Sequence, residues 1–151
     1  MNQHRGARTD AVQLLAGALL IVAATIMPFA TYRDVSARAT TTFRGGSLGV
    51  VLAGLGALSI ALVLVSSKRR ARWLARINVA VGWFALVLAI VLALSKIQAA
   101  NEIQLGTNVR GSSQTSYAFG STVAIAASAL ILLTALVALA AAKRGGEAPT
   151  N

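Results

Sequence analysis

The residues of this sequence that could do chemistry are few, and their spacing does not assemble a reaction centre. There is a single histidine, His4, and there is no cysteine. Bis-histidine haem ligation within one chain needs a second histidine, and a zinc site needs several nitrogen, sulfur or carboxylate ligands close together. The sequence therefore predicts no metal site and no cofactor.

The acidic residues and the two Ser-Lys pairs are also poor candidates for catalysis. The acids have no paired spacing that would suit general acid and base work, and they lie at Asp10, Asp34, Glu102 and Glu147. The pairs Ser67-Lys68 and Ser95-Lys96 join sequence neighbours, which do not face each other on a helix. We therefore predict that this chain by itself is not an enzyme.

Composition indicates where the chain resides. The 151 residues are 56% hydrophobic and only 12% charged, about half the charged share of a soluble domain. All charged residues fall outside four uncharged windows, at 11–30, 47–66, 77–95 and 118–142. Each window is long enough to cross a hydrocarbon layer of about 30 Å as a helix. We predict an all-α membrane protein, a single domain over 1–151 with four transmembrane helices in an antiparallel bundle.

The first window has an alternative interpretation as a cleaved signal peptide. Basic residues precede it, and Ala37-Arg38-Ala39 resembles a small-residue cleavage site. The apolar run is longer than the usual hydrophobic region of about 7–15 residues, however, and the candidate site lies several residues beyond its end. A retained helix is our prediction.

The connectors between the windows differ in length and character. The connector 67–76 is short, whereas 31–46 and 96–117 are longer. Residues 97–105 contain no Gly or Pro, so the third helix is expected to continue beyond the membrane until Gly106. Thr40 to Phe43 has β character and favours a short hairpin, while the polar tract 112–116 is typical of an exposed loop.

The net charge of +10 predicts orientation. In a soluble protein this charge would suggest nucleic acid, but here nine Lys and Arg residues fall on one side of the predicted membrane and five on the other. The positive-inside tendency then places both termini and connector 67–76 in the cytoplasm, with the spans in a bacterial cytoplasmic membrane. The basic residues of this connector suit anionic lipid headgroups rather than nucleic acid, and they are Lys68, Arg69, Arg70, Arg72 and Arg76.

Small residues recur at four-residue spacing in the second window, at Gly49, Ala53, Ala57 and Ala61. Lipid gives apolar helices no hydrophobic reason to associate, so small faces that let backbones approach supply the packing instead. Packing within the bundle accounts for part of this pattern. The excess of small residues suggests other transmembrane helices as partners, in a hetero-oligomer or a homo-oligomer.

In layout the chain resembles the small four-span membrane proteins of actinobacterial type. The shared features are Pro28-Phe29 closing the first window, Gly45-Gly46 before the second, the basic connector, and Gly120 opening the fourth. The resemblance implies the four-span fold and carries over no functional residues. We expect a non-enzymatic accessory or assembly subunit of a larger membrane complex. Two alternatives stay open: a phage- or plasmid-related immunity, exclusion or holin-like factor, and a small oligomeric channel or exporter.

Overall fold

Four helices and three short strands make up the computed structural model, which describes residues 3–34, 39–68, 72–106 and 113–144. The helices are α1 (Gln3–Thr25), α2 (Gly46–Lys68), α3 (Arg72–Gly106) and α4 (Phe119–Arg144). The strands are β1 (Ala30–Asp34), β2 (Ala39–Phe43) and β3 (Ser113–Tyr117). The described chain is mostly helical, at 83%.

Each helix contains an apolar stretch of membrane-spanning length, which confirms four helices long and apolar enough to cross a membrane. The stretches are Arg8–Thr25, Gly46–Ser66, Trp73–Ile103 and Phe119–Lys143. The first has a mean hydropathy of 1.3 and the other three reach 2.6. The weaker value follows from Arg8, Thr9 and Asp10, which open the first stretch.

The helices pack as a ring in which α1 and α3 each contact both α2 and α4. Neighbours run antiparallel: Ala24 lies beside Gly49 near one end of α1 and α2, and Gln13 bonds Ser59 near the other. The buried positions of α2 alternate in steps of three and four, at Gly49, Leu52, Gly56, Ser59 and Val63. An average step of 3.5 residues is the spacing of left-handed helical bundles.

Alanine dominates the centre of the bundle. The fully buried side chains of the main core include Leu20, Leu52, Leu92 and Ile131, and between them lie many alanines, among them Ala16, Ala23, Ala85, Ala89, Ala124 and Ala127. Small side chains let helix axes approach closely, so dispersion contacts replace the hydrophobic drive that lipid does not supply.

Helix α1 ends at Thr25, whereas the first uncharged window runs to residue 30. Pro28 explains the difference, because proline has no N–H to donate and disfavours helical backbone in the preceding residue. The chain then enters the sheet directly. The Phe29 N–H donates to the Phe43 carbonyl at 2.7 Å, and the Phe29 carbonyl accepts from the Ala118 N–H at 3.1 Å.

The three strands form one antiparallel sheet in the order β2-β1-β3. Tyr32 at its centre pairs with Thr41 on one side and Thr115 on the other. The predicted hairpin around 40–43 is thus confirmed. The all-α class is incomplete, and the loop predicted at 112–116 is wrong from Ser113 onward. That tract lacks apolar alternation, and only its pairing with distant β1 reveals a strand.

The predicted continuation of the third helix to Gly106 is confirmed. At 35 residues, α3 is about 52 Å long, so its last turns pass beyond the ends of its neighbours and pack against β1 and β3. The sheet and residues 96–106 of α3 are called the cap. Its core consists of Ala30, Tyr32 and Ala100, with Phe43 and Ile97 packed against it. The cap marks the sheet end of the bundle, and the opposite end is the far end.

Candidate interaction surfaces

The contact between α1 and α2 depends on glycine. A Cβ placed on Gly49 would lie 2.5 Å from the Ala24 carbonyl oxygen, and one on Gly56 would lie 3.0 Å from the Gly17 carbonyl oxygen. The two backbones therefore touch at two levels of the bundle. Side chains larger than hydrogen at these positions would force the helices apart.

The four residues of the predicted packing face occupy two different surroundings. Gly49 is buried against α1 and Ala53 is half-buried against the core, but Ala57 and Ala61 are exposed. A step of four residues turns a straight helix by about 40° beyond a full circle, so three such steps drift by about 120°. The residues that do face α1 keep the 3.5-residue spacing, and sequence reasoning by that spacing would have selected Gly56 with Gly49.

A second series of positions on α2, called the open face, points away from the bundle. It consists of Val50, Gly54, Ala57, Ala61 and Leu64, all exposed and again spaced alternately by four and three. A Cβ placed on Gly54 would meet nothing within 4 Å among the described residues. The open face therefore has a shallow centre of three small residues between two larger side chains.

Large apolar side chains are exposed on the outward surfaces of α3 and α4. Exposed side chains on α3 include Trp83 at 55% and Phe84 at 70%, and those on α4 include Leu133 at 60% and Val137 at 52%. Such side chains present wide apolar area to lipid tails. On α2 the small residues instead leave the backbone approachable, which is the property of a helix-docking face.

The cap presents one covered and one uncovered face. Tyr32 points toward α3 and is 5% exposed, whereas Arg33 points to the opposite side and is exposed. Around Arg33 the uncovered face carries hydroxyl groups, and the Thr31 and Ser116 hydroxyls lie 3.0 Å apart in a hydrogen bond between β1 and β3. Among the described residues this face is polar and carries the cation Arg33, which suits contact with water or a polar partner rather than lipid.

Of the basic residues predicted to meet lipid headgroups, the structure places Lys68, Arg72 and Arg76 at the far end. Arg76 is exposed on α3, close to Trp73, which is 60% exposed. Lys68 ends α2 and Arg72 begins α3, but their side chains lie outside the described part of the structure. Arg69 and Arg70 lie outside the described residues altogether.

Polar side chains inside the bundle are mostly bonded as expected from sequence. Ser128 Oγ donates to the Ala124 carbonyl at 2.8 Å, and Thr134 Oγ1 donates to the Leu130 carbonyl at 2.8 Å. Across helices, Gln13 Nε2 donates to Ser59 Oγ at 3.0 Å. Asn78 is the exception, because its Oδ1 is buried and accepts no hydrogen bond from any described residue.

The candidate catalytic residues are not brought together. Asp10 lies on α1 toward the far end, whereas Glu102 lies in the cap at the sheet end. Within the described ranges no group of three His, Cys, Asp or Glu residues is placed to hold a metal ion. No protein-family model matches the chain, and no curated protein matches it in sequence.

Proposed function

We propose that this chain is a non-enzymatic accessory or assembly subunit that packs against a larger complex in a bacterial cytoplasmic membrane. The observation that carries the proposal is the open face of α2. One series of small residues on this helix is filled by α1, and a second series, centred on Gly54, Ala57 and Ala61, is exposed within the described structure.

The occupant of the open face is proposed to be a transmembrane helix of another subunit. Lipid tails cannot interdigitate with a shallow apolar face as closely as a helix can, so a helix gains more dispersion contacts there. In this arrangement, the polar face of the cap lies beside the part of that subunit that extends outside the membrane. Anionic lipids contact the basic residues at the far end, of which Arg76 is described as exposed.

The orientation belongs to the same proposal. The far end, where α1 and α3 begin and α2 and α4 end, faces the cytoplasm, and the cap faces outward. The support is the excess of Lys and Arg at the far end, because basic residues near spans favour the cytoplasmic side.

Replacing small residues on the open face tests the subunit interface. The double variant Ala57→Leu with Ala61→Leu fills the shallow face while leaving the contact with α1 untouched. We expect it to lower recovery of a stoichiometric partner by about tenfold, which corresponds to about 1.4 kcal/mol. The measurement is purification from membranes in mild detergent, with mass spectrometry of the associated chains.

The matched control is the double variant Ala18→Leu with Ala126→Leu, which adds the same volume at exposed positions of α1 and α4. Full recovery of the partner is expected for this control. Equal recovery with both double variants would contradict the open face as the interface.

The same experiment separates the two alternatives. If only copies of this chain are recovered, the result favours an oligomeric channel or a holin-like factor over an accessory subunit. Within one copy, the fully buried alanine core favours a closed bundle over a pore along its axis. A channel would therefore have to form between copies, and loss of membrane potential on expression would reveal it.

A further inference from the structure

Each of the four helices contributes a buried polar residue to the half of the bundle nearer the far end. These are Gln13 on α1, Ser59 on α2, Asn78 on α3 and Thr134 on α4, with exposed fractions of 2%, 0%, 6% and 9%. The set is called the polar layer. Buried polar groups inside a membrane-spanning bundle cost free energy unless they are hydrogen-bonded.

The members of the polar layer lie at nearly the same depth. The Gly120 N–H donates to the Pro28 carbonyl at 3.0 Å at the sheet end, which gives a common reference for α1 and α4. Counting 1.5 Å per helical residue toward the far end, Thr134 lies about 21 Å from this bond, and Gln13 lies about 18 Å from the end of α1 at Thr25, three residues before Pro28. Ser59 shares the level of Gln13, since the two side chains are bonded.

The depth of Asn78 follows from the contact between Gly82, on the same helix, and α4. A Cβ placed on Gly82 would lie 2.8 Å from Leu132 Cα, so these two residues are at one height. Leu132 is about 18 Å from the reference bond, and Asn78 lies about one turn further toward the far end. The estimated depth of Asn78 is therefore about 24 Å, within one helical turn of the other three residues.

The polar layer has unused hydrogen-bonding capacity. Asn78 Oδ1 accepts no bond within the described structure. The Gln13 amide has a second N–H besides the one that binds Ser59, and Ser59 Oγ keeps one lone pair beside the one that accepts from Gln13. Thr134 Oγ1 donates its proton to a backbone carbonyl and can still accept. Several polar groups at one buried level, one of them orphaned, are the surroundings in which proteins hold internal water.

We propose that the polar layer is a hydration site, in which an ordered water donates a hydrogen bond to Asn78 Oδ1 and bonds other members of the layer. The ligand class is a small neutral hydrogen-bond donor. Asn78 is too deeply buried for a lipid headgroup or a partner helix to reach its oxygen without opening the bundle. Asn78 also lies six residues from the start of α3, about 9 Å along the helix, so water from the far end has a short path.

Water-edited solid-state NMR of the full chain in lipid vesicles tests this proposal. Magnetisation transferred from water is measured at the Asn78 side-chain amide, with Asn101, which is exposed in the cap, as the hydrated reference. The fully buried methyl groups of Ala89 and Ala124 provide the dry reference. We expect transfer to Asn78 to be faster than to these methyl groups by about fivefold or more. A smaller ratio overturns the hydration site.

A variant separates hydration from simple packing. In Asn78→Leu the orphaned oxygen is removed, so transfer from water to the Gln13 amide is expected to fall by about half or more. The control is Thr122→Val, which removes a hydroxyl from an exposed position of α4 and should leave the transfer unchanged. Unchanged transfer in Asn78→Leu also overturns the proposal. The comparison of Asn78 with the buried alanine methyl groups uses the wild-type protein, so that part of the test does not depend on how well either variant folds.

Discussion

Gly49 and Gly54 lie five residues apart on α2 in opposite surroundings. A Cβ on Gly49 would collide with the α1 backbone at Ala24, whereas one on Gly54 would meet no described atom. We expect Gly49→Ala to destabilise the protein by about 1–3 kcal/mol through overpacking. Gly54→Ala should be neutral or stabilise by up to about 1 kcal/mol, because alanine favours helix. Thermal unfolding in mild detergent measures both.

The pair is its own control, since both variants add one methyl group to the same helix. Unfolding temperatures that stay at the wild-type value in both Gly49→Ala and Gly54→Ala would show that α1 and α2 do not approach as closely as described. A similar drop for both would instead indicate that the open face is already occupied by another helix of the assembly.

The sequence identified small residues as the basis of packing but not which of them pack. Gly49 and Gly54 are the same residue type in the same uncharged window, so composition cannot distinguish them. The 3.5-residue spacing places Gly49 and Gly56 on one side of α2. Whether that side faces a neighbouring helix depends on where α1 lies. A neighbour's position is a tertiary property, and α2 alone does not contain it.

At the scale of elements, the cap depends on Tyr32. This side chain is 5% exposed and belongs to the small core between the sheet and α3. Tyr32→Ala should destabilise the cap by about 3–5 kcal/mol, as for other large aromatic residues removed from cores. The four spans have their own core and should stay folded. Trypsin digestion, with Arg33, Arg44 and Lys96 as cleavage sites, measures opening of the cap.

Thr42→Ala is the matched control for Tyr32→Ala. Thr42 pairs with Thr31 on the uncovered face of the sheet and is exposed, so its removal should leave the digestion rate unchanged. Rapid cleavage in both variants would mean that the sheet, rather than its contact with α3, is the weak part. Slow cleavage in both would contradict the Tyr32 core.

The helices and the hairpin of β1 and β2 were predictable and strand β3 was not, for reasons of sequence distance. An uncharged window of about twenty residues predicts a membrane helix from neighbouring residues alone. The continuation of α3 to Gly106 follows from the lack of Gly and Pro in residues 97–105. Strand β3 pairs with β1 across about eighty residues, as Thr31 with Ser116. Its Ser-Gln-Thr-Ser sequence has no apolar alternation, and only the neighbouring strand supplies the reason for it to be extended.

At the scale of the whole molecule, the two ends carry different chemistry. The sheet end has a polar cap whose core is separate from that of the bundle. The far end has the exposed Trp73, Arg76 and Lys143. The proposed orientation in the membrane rests on this difference, because basic residues near spans favour the cytoplasmic side.

Single cysteines test this orientation, since the chain has none of its own. Thr42→Cys places a thiol on the exposed cap, and Ala141→Cys places one at an exposed position of the far end. In intact cells, a maleimide that does not cross membranes should label the first within minutes and the second only after permeabilisation, because the proposed orientation places the basic end in the cytoplasm. Equal labelling of both in detergent shows that each thiol is reactive. The reverse pattern in cells would invert the orientation, and labelling of both without permeabilisation would contradict the four-span arrangement.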